Sequence, residues 1–172
     1  MRGRVCWVVV GLMSSLIGLG CGMRAEEMVP KSVNVLNRQP GTVAVVTDNS
    51  GVQGNRVWTA TELANKHKEI GQATEQAITK FNVFAGGVKP AGQSDYVLEI
   101  RYTNVDEPAF GLNFDATLDA TWKLMTASPP RTVWEKAISG TGRATFGDAV
   151  AAHIQAGLEA LSQQHISGAS AR

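Results

Sequence analysis

Cysteine is scarce in this chain: two in 172 residues, Cys6 and Cys21, both near the N-terminus. Beyond residue 21 no disulfide framework is available, so a folded domain there must be held by core packing. Aromatic residues make up 6% of the chain and proline only six positions, and no low-complexity segment or internal repeat is present. Charge of one sign is also lacking. The formal net charge is +1, with no basic block, which excludes nucleic acid as a partner and a polybasic hold on anionic lipid. Long apolar runs are missing too. The longest, Val5 to Leu19, is about 15 residues, short of the roughly 20 that span a bilayer.

That run is the most informative stretch. Arg2 and Arg4 form a positive n-region ahead of it, and Gly18-Leu19-Gly20-Cys21 closes it with small residues. This is the pattern of a secretory signal. Its removal takes Arg2 and Arg4 away, so the sixteen basic side chains of the whole chain fall to fourteen against fifteen acidic ones. What remains has the size of one domain, able to bury about 70% of its unfolded surface.

The end of the leader resembles the lipobox of bacterial lipoproteins, in which cleavage before a cysteine is followed by diacylation of its sulfur. Gly20 and Cys21 fit the last two positions, while Gly18 stands where Leu is usual and Leu19 where Ala or Ser is usual. The resemblance implies lipidation at Cys21. Gly22, rather than Asp, follows the cysteine, which implies transfer to the periplasmic face of the outer membrane. The expected organisation is a signal peptide over 1–20, a lipidated N-terminus and polar tether over 21–31, one domain over 32–166 and a flexible tail over 167–172.

Within the domain the pattern predicts ββαβββα. Ser32 to Asn37 alternates Val33 and Val35 with polar residues; Pro40-Gly41 is a turn signal; Thr42 to Thr47 is a β-branched run. These two strands are expected to form a hairpin. Thr59-Ala60-Thr61-Glu62 has capping-box spacing and opens a helix whose apolar face carries Leu63, Ile70, Ala77, Phe81 and Phe84, with His67 at its edge and Gly86-Gly87 as the stop. Asp95 to Val105, Asn113 to Met125 and Thr132 to Thr145 read as three strands around the Ser128-Pro129-Pro130 turn. Pairing about that turn predicts Trp122 beside Trp134, Leu118 beside Ile138, and Lys136 on the apolar face opposite Ala120, where it must snorkel or a bulge must shift the register. Asp148 is expected to cap a last helix with the stripe Val150, Ile154, Leu158 and Leu161, stopped by Gly168. The fold class is therefore α+β: a two-layer sandwich of a mostly antiparallel sheet of about five strands against two helices.

No catalytic constellation emerges. Asp115 and Asp119 are four residues apart on one strand face, roughly 13 Å, too far for paired glycosidase carboxylates, and read as a solvated face. Gly142 and Gly147 have the glycine spacing of a phosphate loop, but Asp148 stands in the place of its lysine; these glycines read as relief of crowding. His153 and His165 are about 18 Å apart along a helix, so no shared metal is expected. There is no G-x-S-x-G elbow. Asn104 to Asn113 places Phe110 and Leu112 in a loop, where apolar residues are candidates for partner contact.

The mature chain as a whole resembles the small, largely uncharacterised α+β lipoproteins of the Gram-negative envelope, through Asp95-Tyr96-Val97-Leu98-Glu99-Ile100, Trp134-Glu135-Lys136, Ser139-Gly140-Thr141-Gly142 and the Ala-rich last helix. Some of that group serve as accessory subunits of transport or assembly machines. The expected function is a non-enzymatic, lipid-anchored accessory protein of the envelope that needs no cofactor or metal. It would be bound to the membrane through acyl groups and would act on an envelope protein partner. The alternative is a binder of lipid or another apolar ligand, in a cavity lined by Trp122, Trp134, Phe114 and Phe81.

Overall fold

The computed structural model describes residues 24–54, 60–106, 115–143 and 145–166. Its sheet contains β1 (Val43–Asp48), the two-residue β2 (Gln53–Gly54), β3 (Tyr96–Asp106), β4 (Ala116–Thr126) and β5 (Arg131–Gly142). The spatial order is β1-β3-β4-β5, with β2 also on β3. Two helices, α1 (Ala60–Lys80) and α2 (Phe146–Ser162), complete the fold. The expected class stands: an α+β fold with one sheet and two helices.

The three long strands follow the alternation of their sequence. Leu98, Ile100 and Tyr102 of β3 and Leu118, Trp122 and Leu124 of β4 are fully buried, and the residues between them face the other way. β3 and β4 are antiparallel, with a bulge after Tyr102 that lets Val105 return to the core. β4 and β5 are antiparallel as expected, but in another register. Leu124 lies opposite Trp134, Ala120 opposite Ile138 and Trp122 opposite Lys136. The expected pairing of Trp122 with Trp134 is overturned by two one-residue shifts: the turn pairs Thr126 with Arg131, and Val133 is then inserted as a bulge between the Met125 and Leu124 pairs. Lys136 shares the face of its partner Trp122, yet it is exposed, because β5 is an edge strand and a lysine there can carry its charge past the core to water. An inward-pointing charge on an edge strand discourages pairing with another chain.

The expected N-terminal hairpin does not form. Residues 32–37 are not a strand, and β1 runs parallel to β3 with α1 as the crossover. Residues 33–39 instead form a strap across the end of α2. The amide of Asn34 donates to Glu159 Oε1 (3.1 Å), that of Leu36 to Ser162 Oγ (3.3 Å) and that of Asn37 to the Ser162 carbonyl (3.0 Å). Gln39, 1% exposed, closes the strap. Its Nε2 donates to the carbonyls of Leu161 (3.1 Å), which also accepts from the Gln164 amide, and of Gln164 (2.8 Å), just past the helix end. Its backbone bridges to Phe84. The alternation of Val33 and Val35 is real, but their partners are helix ends rather than a strand. The Pro40-Gly41 turn is present, with Gly41 at φ 74°, and leads from the strap into β1.

The polar stretch before residue 32 also packs. Ala25–Met28 forms a single 3-10 turn with Ala25 4% and Met28 2% exposed. The Ala25 amide donates to Glu69 Oε2 (3.1 Å), and Lys80 Nζ donates to the Pro30 carbonyl (3.1 Å).

α1 ends earlier than the glycine pair suggested. Asn82 adopts φ 55°, and the Val83 amide donates to the Ile78 carbonyl and the Asn82 amide to that of Thr79. This is a Schellman ending with Asn in the left-handed position and the buried pair Val83 and Ile78 as its apolar contact. At α2 the cap is Thr145, and Asp148 is its reciprocal partner three residues on. The stripe Val150, Ile154, Leu158 and Leu161 is fully buried. Thr59, the side chain of Leu63, Phe114 and Gly168 lie outside what is described.

Glycine sets the distance between α2 and the sheet. A Cβ on Gly140 would lie 2.3 Å from the His153 backbone nitrogen, one on Gly142 2.2 Å from that of Ala149, and one on Gly157 2.6 Å from the Trp122 ring. The relief of crowding expected of the β5 glycines is what they provide. Gly140→Ala is therefore expected to destabilise the domain by about 2–3 kcal/mol or more, because the clash is with backbone. Gln39→Leu, which removes the buried side-chain donor to the Asn37, Leu161 and Gln164 carbonyls, should cost about 1–3 kcal/mol. Urea unfolding of each variant measures both; midpoints within error of the parent would contradict these packing assignments.

Candidate functional site

Two groupings of polar side chains are present in the described residues. The first lies on the sheet face opposite the helices. Asp48, Glu99, Arg101, Thr121, Lys123 and Glu135 come from four strands, placed side by side by the register Asp48–Arg101–Thr121 and Glu99–Lys123–Glu135. Arg101 is the hub. Its Nε donates to Asp48 Oδ2 and its Nη2 to Glu99 Oε1, both at 3.0 Å, and Lys123 Nζ stands 3.9 Å from Glu99 Oε2. The Asp48 carboxyl is held below the usual range, first by the amide of Ser50 (2.9 Å) and then by the Ser50 hydroxyl and Arg101. Arg101 is raised, chiefly through its bond to Asp48. Glu99, Arg101, Thr121, Lys123 and Glu135 line a shallow depression of about 130 Å³. Pockets for drug-sized ligands run to about 300–1,000 Å³, so this is a contact surface rather than a cleft.

The second grouping is buried between the layers. His153 is fully buried and keeps both ring nitrogens occupied. Trp122 Nε1 donates to Nε2 at 2.8 Å, and Nδ1 is 3.1 Å from the Leu118 carbonyl. The Trp bond needs a lone pair on Nε2, so the proton sits on Nδ1 and is donated to Leu118. Burial pushes His153 down to about 4, against smaller upward pulls from the Leu118 carbonyl and Asp119. His67 and Tyr102 lie alongside, with ring centroids 4.8 Å apart. Among the described residues neither nitrogen of His67 nor the Tyr102 hydroxyl has a hydrogen-bond partner. Burial lowers His67 to about 4, opposed by Asp48, and raises Tyr102. Both histidines are neutral at neutral pH. Sequence periodicity placed His67 on the apolar side of α1; the pairing of Trp122 with His153 was not legible, because nothing local joins residues 31 apart.

Among the sequence candidates, Cys21, Phe110 and Leu112 lie outside the described residues. Asp115 is exposed, and Asp119 accepts from Asn104 Nδ2 at 3.1 Å. His165 is exposed and apart from the buried histidines. Among the described residues no three His, Cys, Asp or Glu converge on a metal-sized site. Of the residues expected to line an apolar cavity, Trp122 lies against Gly157 with its N–H engaged, Trp134 sits in the edge strand and Phe81 follows the end of α1.

Comparison with known proteins places the architecture. No family model matches the chain, and no curated protein matches it. Among solved structures, protein XCC0632 of Xanthomonas campestris, of the DUF330 family, is similar at TM-score 0.50 and 17% identity over 78% of this chain and 87% of its own. The PelC dodecamer from Paraburkholderia phytofirmans is similar at TM-score 0.50 and 14% identity over 74% of this chain and 91% of its own. At such identity the likeness is one of fold.

The buried histidines make stability depend on pH. Between about 4 and 6.5 the unfolded chain binds protons that the native His153 and His67 refuse, so stability is full above 6.5 and falls as pH drops toward 4. His153 alone accounts for about 3 kcal/mol of that loss. Urea midpoints at pH 7 and pH 5 should differ in the parent, and His153→Gln should remove about half of the difference. An undiminished difference in that variant would reject the neutral, doubly bonded His153.

Proposed function

We propose that this chain is a non-enzymatic accessory protein of the bacterial cell envelope, anchored by acyl groups on Cys21 at the periplasmic face of the outer membrane, which acts by protein contact through the bare face of its sheet. The observation that carries the reading is the one-sided architecture. Both helices cover one face of the sheet, and the other presents a charge ladder centred on Arg101 beside a shallow depression. Flat surfaces with an arginine held by neighbouring carboxylates suit protein recognition, in which Arg is a frequent anchor and charge fixes register. The leader with Gly20-Cys21 supports export and lipidation, and the shared fold with XCC0632 and PelC is compatible with this role. Phe110 and Leu112 remain candidates for a second contact. A non-catalytic role is supported by His153, whose two nitrogens are committed to Trp122 and Leu118. No helix among the described residues is long and apolar enough to cross a membrane, which leaves the acyl group as the proposed anchor.

The test uses the full chain in living envelope. Fatty-acid labelling should mark the protein and be lost in Cys21→Ser. A photoreactive residue at Thr121 should give one defined protein adduct, and Arg101→Glu should abolish that adduct without unfolding the domain. An adduct formed from position 110 but not from 121 would transfer the contact to the Phe110 loop and reject the sheet face.

A further inference from the structure

We infer that the helical layer of the domain rests against the phospholipid headgroups and that the bare sheet face is turned away from the membrane. This inference rests on the reading of Cys21 as the acylated residue. Its physical basis is the length of chain between that sulfur and the first docked turn.

The sequence from Cys21 to Arg24 spans three Cα-to-Cα steps, at most about 11 Å when fully extended. The headgroup layer of one leaflet consumes about 5–7 Å of that reach. Ala25 follows at once and is committed to the fold. It is 4% exposed, its amide is bonded to Glu69, and Met28 three residues on is 2% exposed. The stretch that looked from its polarity like a ten-residue tether therefore contributes only about three residues of free length. A domain of this size has a radius of gyration of about 14 Å, longer than the leash. It has no freedom to hang clear of the bilayer.

The attachment point also selects the face. The Ala25–Met28 turn packs on α1 and α2 and contacts no strand among the described residues. It thus marks the helical side, with the sheet behind. The exposed charges of the segment are mixed, with Glu26 and Glu27 flanked in the chain by Arg24 and Lys31, so the leash rather than a basic patch sets the orientation. The consequence for the proposed function is direct. Asp48, Glu99 and Arg101 would be held at a fixed height above the lipid, facing a partner in the periplasm.

Depth-dependent quenching tests this on the acylated full chain in nanodiscs of phosphatidylethanolamine and phosphatidylglycerol carrying headgroup-nitroxide lipid. Removal of Cys6 with the leader and acylation of Cys21 leave an introduced thiol as the one available for labelling. Gln76→Cys places a fluorophore on the exposed side of α1, on the stripe shared with Glu69 and Lys80, and Ala137→Cys places one on the bare sheet face; both positions are exposed. Strong quenching at 76 with none at 137 is expected. A long Gly-Ser insertion between Met23 and Arg24 should bring quenching at 76 down to the level at 137. Equal quenching at the two positions in the natural-length protein, or more at 137, overturns the orientation and leaves the anchor standing. A mature chain whose mass shows no acyl group overturns both.

Discussion

The domain depends on how closely α2 approaches β4 and β5. Gly140 and Gly142 on the edge strand and Gly157 on the helix remove three side chains from this seam. The Trp122 ring then lies directly against the helix, and its N–H reaches His153 on the same helix. A buried indole N–H without an acceptor costs about 1–3 kcal/mol, and a buried imidazole without partners costs a similar amount. Each satisfies the other, and Leu118 on the same strand as Trp122 takes the remaining proton. The interaction is thus specific as well as close. A helix displaced by one turn would lose the glycine contact and the hydrogen bond together.

This seam determines what the rest of the sheet presents. Helices cover one face only, so residues between the core positions of β3 and β4 meet water and are polar: Glu99, Arg101, Asp119, Thr121 and Lys123. Cross-strand neighbours of opposite charge stabilise such a face modestly. They also order the Arg101 guanidinium, whose conformational freedom is already spent on Asp48 and Glu99 before any partner arrives. The free edge of β5 is guarded differently. Exposed Arg131, Glu135 and Lys136 and the bulge at Val133 interrupt the flat run of backbone that another strand would need. A contact through the sheet face is thereby favoured over strand addition at that edge.

Strict alternation made β3 and β4 readable residue by residue, and the 3.6-residue stripe made α2 equally plain, because in both cases one face is buried throughout. Register was less readable. The β4–β5 pairing was offset by two residues, one from the turn, which pairs Thr126 with Arg131, and one from Val133, which looks like any β-former and gives no local sign of a bulge. The first expected strand failed for a different reason. Val33 and Val35 alternate, but the surrounding Asn34, Asn37 and Gln39 are committed to the C-terminal end of α2, more than 120 residues away, and no pattern within a short window reports that. Of the candidate site, the polar face follows from the same alternation, which sets Glu99, Arg101 and Lys123 between the apolar positions of β3 and β4, whereas the hub role of Arg101 required Asp48 from a strand whose parallel pairing was not foreseen.

The N-terminal stretch shows why polarity alone is a poor guide to where a domain starts. Residues 22–31 contain four charged side chains and a proline, a composition that reads as solvated. Ala25, Met28 and Pro30, with half-buried Val29, carry the packing of a single turn that meets the surface on one side. Burying a Met side chain contributes about 1.5–3 kcal/mol, enough to hold a turn of four residues when Glu69 and Lys80 also bond its backbone. The charged residues do not oppose this, because Glu26 and Glu27 point outward. The same segment continues without a break into the strap that bonds the Leu161 and Ser162 carbonyls at the end of α2. One continuous piece of chain from 24 to 39 therefore joins α1 to α2 across their outer surface. It ties the two helices together before the first strand begins, and any pull on the N-terminus is borne by the helical layer rather than by the sheet.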